Sequence, residues 1–174
     1  MTVMGNAQII IVEDEGIVAS DLKRRLGQLG YDVKAIVSSG EEAIIQAKKC
    51  KPDLVLMDIV LKGSMDGITA ANKIHALFNI PVVYLTAYAD GETLKRVKIS
   101  EPYGYLVKPF EERELIAAIE IALERHKNVL KLKEKEQHFR FFQPSSVHFE
   151  LLRKYFPQIR HFFFFIIHII IPHC

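Results

Sequence analysis

The chain has no tryptophan and only two cysteines, Cys50 and Cys174, in 174 residues. Two thiols make no disulfide framework, which excludes the small stapled secreted class and agrees with a reducing compartment. An excess of one charge sign is also lacking, since 23 Lys/Arg face 21 Asp/Glu. The small positive surplus is local: residues 1–128 carry 16 basic and 18 acidic side chains, and residues 129–174 carry 7 and 3. A mildly acidic body is no electrostatic footprint for nucleic acid, and no helix-turn-helix pattern is visible, so no nucleic-acid partner is expected. Long apolar runs are missing as well. Residues 162–171 form a run of ten that contains His168, against the roughly 20 that a membrane-spanning helix needs. The N-terminus shows no basic region followed by an apolar core, so no export signal is expected and the expected location is cytoplasmic.

What is present is ordinary in bulk and informative in order. A hydrophobic content of 49% and a charged content of 25% suit one well-cored domain with a short appendage. The organising stretch is residues 53–59, an apolar run opened by Pro52 and interrupted by Asp58. It reads as a strand buried on both faces. A carboxylate at the end of such a strand is costly unless it sits at the sheet rim with a partner. Further strands are expected over 8–12, 33–37, 81–85 and 103–107. Helical spacing links Val18, Leu22, Leu26 and Leu29, and then Gly30 stops the helix. Ser38-x-x-Glu41 and Ser39-x-x-Glu42 both match a capping box before the next helix. Residues 68–77, a segment from Asp90-Gly91 through Val97, and a stripe of Leu115, Ala118, Ile119, Ala122 and Leu123 complete five helices.

Strands alternating with helices across short loops predict an α/β fold: a doubly wound, five-stranded parallel sheet, flavodoxin-like, in the order 2-1-3-4-5. In such a sheet, ligands bind beyond the carboxyl ends of the strands, at the reversal between strands 1 and 3. Glu13 and Asp14 end the first strand, Asp58 the third, Thr86 the fourth and Lys108 the fifth. One crevice would therefore receive acids, a hydroxyl and an ammonium. Taken singly, each has a plain explanation, since an acid after a strand is more often a helix cap and a lysine is usually a solvated charge. The case rests on their coincidence at the strand ends.

Over residues 7–127 these motifs resemble the receiver domain of two-component response regulators. The resemblance implies that Asp58 is the phosphorylatable aspartate and Lys108, before Pro109, the invariant lysine. It implies that Thr86 and Tyr105 form the conformational switch, and that Mg²⁺ is held by Glu13, Asp14, Asp58 and the backbone carbonyl of Val60. It also implies a histidine kinase or phosphotransfer protein as partner, and a cis Lys108-Pro109 bond. The signalling face would be the fourth helix, fifth strand and fifth helix, a possible homodimer surface together with an extended fifth helix. No external substrate is expected, only self-catalysed phosphorylation and dephosphorylation of the aspartate.

Three rivals carry the same fold or chemistry. An FMN protein needs a Gly/Ser/Thr-rich phosphate loop where Glu13-Asp14-Glu15 stand. An aspartyl phosphatase usually has a second acid where Val60 stands. A pseudo-receiver that only docks would have lost a site residue, and none is lost. Two departures from the receiver pattern fall after Asp58: Lys62 replaces a usual proline, and Gly67 lies nine residues on instead of eight. That loop is expected to contribute mainly backbone to the site. Tyr88, two residues beyond Thr86, is expected to shield an acyl phosphate and prolong its life.

The expected division is a receiver over 1–127, a helical extension over 128–142 and a tail over 143–174 with no folded domain. Nine of the eleven phenylalanines follow Gln137, and the uncharged segment 162–167 has the composition of an aggregation-prone strand. Residues 137–142 resemble the start of a PAS sensor domain, so the receiver fragment of a sensor histidine kinase is an alternative. The tail then reads as a truncated or frame-disrupted remnant.

Overall fold

A computed structural model describes residues 6–87 and 102–142, with the backbone alone over 137–142. The chain divides into two units, Met1–Val129 and Leu130–Cys174. The sheet and the candidate site belong to the first.

The elements, in chain order, are β1 (Gln8–Val12), α1 (Gly16–Gln28), β2 (Asp32–Val37), α2 (Gly40–Cys50), β3 (Leu54–Asp58), α3 (Gly67–Phe78), β4 (Val82–Thr86), β5 (Gly104–Val107) and a long helix, α4 (Glu112–Phe142). The helix expected from Asp90 through Val97, Tyr88, and the tail over 143–174 lie outside the described residues. Five strands form one sheet in the order β2-β1-β3-β4-β5, with all four pairings parallel. The doubly wound sheet read from the sequence is therefore the observed one.

The continuous apolar runs become strands because both of their faces are covered. Ile10, Val12, Val55, Met57 and Tyr84 pack on one side with Ala43 and Ala47 of α2 and Ile68 and Ile74 of α3. Ile9, Ile11, Leu54, Leu56, Val83 and Leu85 pack on the other with Leu22 and Leu26 of α1 and Leu115 and Ile119 of α4. Alternate side chains of one strand thus serve two cores, as the pleat requires. The edge strand β5 is different. Leu106 is buried, whereas Tyr105 is 55% and Val107 45% exposed.

Local signals fix the ends. Of the two candidate capping boxes, the one at Ser39 forms its hydroxyl half, the Ser39 Oγ accepting from the Glu42 N–H at 3.3 Å. The Glu42 carboxylate reaches back one residue further, to the Ser38 N–H at 3.3 Å. Asp66 caps α3 by accepting from Thr69 N–H at 2.9 Å. At the amino end of the sheet, Asp53 clips β3 to β1. Its carboxylate accepts from the Gln8 N–H at 2.7 Å, and its own N–H donates to the Gln8 carbonyl at 2.8 Å. Tyr31, buried before β2, donates its hydroxyl to Glu120 of α4 at 2.9 Å.

Candidate functional site

The carboxyl ends of β1 and β3 lie side by side, with Val12 in register with Met57. The residues that follow those partners are Glu13 and Asp58, so their carboxylates meet at one rim. Glu13 is 2% and Asp58 7% exposed. Carboxylate oxygens of Glu13, Asp14 and Asp58 lie within 4.8 Å of one another. Three acids at this separation repel one another, and hard oxygen donors so arranged suit Mg²⁺.

Lys108 meets the acids from beyond β5. Its Nζ donates to Asp58 Oδ2 at 2.6 Å and to Glu13 Oε2 at 2.5 Å. The peptide bond that follows it, Lys108-Pro109, is cis. The lysine backbone is held in turn, since its N–H donates to the Thr86 carbonyl at 2.7 Å. Thr86 ends β4 in register with Val107 and is 5% exposed. The other Asp58 oxygen, Oδ1, accepts from the Val60 N–H at 3.0 Å, so the chain turns back over the carboxylate immediately after the strand. Glu13 is fixed similarly, its Oε1 accepting from the Glu15 N–H at 3.3 Å.

This packing shapes the charge. Burial raises the pKa of Glu13 above the ordinary range, and the neighbouring Asp58 carboxylate adds to the rise, against the pull of the Lys108 hydrogen bond. For Lys108, burial alone would lower it. Hydrogen bonds and charge from Asp58 and Glu13 together outweigh that effect, and the ammonium is held above its ordinary value.

The structure therefore brings Glu13, Asp14, Asp58 and Lys108 together, with Thr86 anchoring the lysine backbone. Tyr105 sits half-exposed on the edge strand and takes no part in that cluster. The residue that sequence reasoning undervalued is Lys62. The loop after Asp58 contributes more than backbone: Lys62 Nζ lies 3.2 Å from Asp14 Oδ2. Its only sequence signal was the replacement of the usual proline. The need for a glycine at position 67 is also explained. A Cβ on Gly67 would lie 1.8 Å from the Asp58 carbonyl oxygen, so the start of α3 is pressed against the backbone that carries the site.

A family model described as the response regulator receiver domain matches residues 9–120. The transcriptional regulatory protein PdtaR of Mycobacterium tuberculosis is 36% identical over 126 residues, covering 72% of this chain and 61% of that protein. The DNA-binding response regulator MtrA of Mycobacterium leprae is 33% identical over 119 residues, covering 68% and 52%. The chain thus spans between half and two thirds of the length of these relatives. Among solved structures, the signal receiver domain of a modulated diguanylate cyclase from Desulfovibrio desulfuricans G20 matches with a TM-score of 0.67 and 39% identity, covering 70% of this chain and 96% of that one. The N-terminal domain of a response regulator/sensory box/GGDEF protein from Carboxydothermus hydrogenoformans matches with a TM-score of 0.63 and 35% identity, covering 71% and 98%. Receiver domains are signalling modules of two-component systems. With its family pattern matched from 9 to 120 and its fold similar to those of solved receiver domains, the chain belongs to the response regulator receiver domain family.

Proposed function

We propose that this receiver is the phosphoacceptor of a two-component phosphorelay, taking a phosphoryl group onto Asp58 from the phosphohistidine of a histidine kinase or phosphotransfer protein. The observation that carries this reading is the convergence of Lys108 on Asp58 and Glu13, with Asp14 alongside. Glu13, Asp14 and Asp58, with the Val60 carbonyl, are the residues that would hold Mg²⁺. When bound, the ion offsets negative charge on the phosphoryl oxygens.

The chain's own groups do the rest. An Asp58 carboxylate oxygen attacks the phosphorus, the P–N bond breaks, and its electron pair stays on the imidazole nitrogen of the donor. The Lys108 ammonium pairs with the Asp58 carboxylate before transfer and with the added charge after it. The Thr86 hydroxyl then donates to a phosphoryl oxygen, and Tyr105 turns inward from its exposed resting position. The surface that includes β5 and the start of α4 is altered by one covalent group, a two-state element with a chemical bias. Residues 1–127 form the receiver in this reading and 128–142 a helical extension able to support a homodimer; residues 143–174 lie outside the described residues.

The test is incubation of the purified chain with Mg²⁺ and acetyl phosphate, read by mass spectrometry with the modified residue mapped. One phosphoryl group on Asp58, absent from Asp58→Asn and after chelation of the metal, is the expected result. A chain that remains unmodified with Mg²⁺ present would reduce this receiver to a docking module, and a label elsewhere would remove Asp58 from its role.

A further inference from the structure

The loop from β3 to α3 is pinned at three places. The Val60 N–H is held by Asp58, the Gly67 N–H donates to the Ile59 carbonyl at 3.0 Å, and Ser64 Oγ donates to Glu41 Oε1 at 2.6 Å. Between these points the loop arches at the rim, and Lys62 extends from it to Asp14. The pair is asymmetric: the Lys62 side chain is 82% exposed and that of Asp14 10%. The ammonium therefore keeps most of its hydration while covering one of the three acids, the one that Lys108 does not touch. Two lysines from separate loops thus divide the acidic cluster between them.

We infer that Lys62 is a tethered counter-cation that occupies Asp14 when no divalent ion is bound, and that it withdraws for Mg²⁺ to bind, lowering the affinity of this receiver for the metal. The inference rests on reading the acidic cluster as a Mg²⁺ site. Its physical basis is charge. Among the described residues, three carboxylates facing two ammonium groups leave one net negative charge, whereas the same cluster without Lys62 would present two. An entering cation must also break the Lys62–Asp14 contact. Because the side chain is long and solvated, it leaves at little cost and returns when the ion departs. The exposed end of the pair limits the effect: it tunes affinity without closing the site.

The experiment is a calorimetric Mg²⁺ titration of the full chain and of Lys62→Met and Lys62→Arg. Lys62→Met removes the charge and keeps most of the stem, and Lys62→Arg restores a cation. Lys62→Met is expected to bind Mg²⁺ about two- to fivefold more tightly, the range that an exposed ion pair supports. Lys62→Arg is expected to stay near the parent chain. The Asp14 carboxyl carbon resonance should also move in metal-free Lys62→Met, a change that a loop residue without contact to Asp14 would not cause. Unchanged affinity in Lys62→Met, with parent binding still lost in Asp58→Asn, overturns this inference alone. No Mg²⁺ binding by the parent chain, or binding that survives Asp58→Asn, overturns the site reading with it.

Discussion

Replacing Gly67 with alanine tests how tightly the start of α3 is pressed against the site. The added Cβ would meet the Asp58 carbonyl oxygen at 1.8 Å, the Asp58 carbonyl carbon at 2.9 Å and the Ile59 Cα at 3.0 Å. All three are backbone atoms, so no rotamer change relieves the overlap. The closest gap must widen from 1.8 Å to at least 3.0 Å, which moves either the first turn of α3 or the peptide that carries Asp58. Overpacking of this kind costs about 1–3 kcal/mol, and a clash confined to backbone belongs at the upper end, about 3 kcal/mol. At roughly 4 °C per kcal/mol for a domain of this size, the melting temperature should fall by about 12 °C. Differential scanning calorimetry of the full chain reads this directly. Gly27→Ala is the control: nothing lies within 4 Å of the Cβ it would add, near the end of α1. Helix propensity should make that change stabilising by up to about 1 kcal/mol. A Gly67→Ala chain melting within about a degree of the parent would refute the claimed close approach, since a shift that small corresponds to well under 1 kcal/mol.

Two further outcomes follow from other contacts. Tyr31→Phe removes a buried hydroxyl that donates to Glu120, and should cost about 1–2 kcal/mol near pH 7 in denaturant unfolding. Burial first, and the Glu120 carboxylate second, push the Tyr31 pKa well above its ordinary value of 10.0. The folded chain therefore keeps this proton after the unfolded chain has lost it. The stabilisation is full below pH 10 and is lost as pH rises towards the folded value, so the gap between parent and variant should close in alkali. A gap constant up to pH 11 would count against that assignment. Ser39→Ala should cost about 1 kcal/mol through loss of the α2 cap, whereas Ser38→Ala should stay within about 0.5 kcal/mol because only its backbone N–H is engaged. Equal effects of the two changes would mean that the cap is shared.

The sheet was legible because its strands are of the type that sequence reports best: unbroken apolar runs whose alternate side chains feed two cores. Ile9 to Val12 and Leu54 to Met57 are fully buried, and Asp58 had to sit at a rim because nothing deeper could hold it. The conjunction of Glu13, Asp14, Asp58 and Lys108 followed from the strand order, which places neighbouring strand ends together whatever the loops do. Contacts set by long side chains and by loop paths were not legible. Two equivalent capping boxes overlap at Ser38 and Ser39, and only the backbone path into α2 selects between them. Nothing in the spacing says that Lys62 reaches Asp14, because a four-carbon stem on an irregular loop has no periodicity to read. Gly67 was visible as a displaced glycine, but the reason for a glycine there is the approach of one backbone to another.

One further consequence comes from the two aspartates that bracket β3. Asp53 fastens the amino end of the strand to Gln8, and Asp58 closes its carboxyl end. Five residue rises put their backbones about 17 Å apart, yet trypsin does not separate them. Its usual cleavage after lysine is blocked at Lys51 by Pro52, and the next lysine is Lys62. Both carboxylates therefore travel in one peptide, and the mass of that peptide reads the same whichever of them is modified. Fragment ions that break the backbone between Leu54 and Met57 assign the label to one end of the strand or the other.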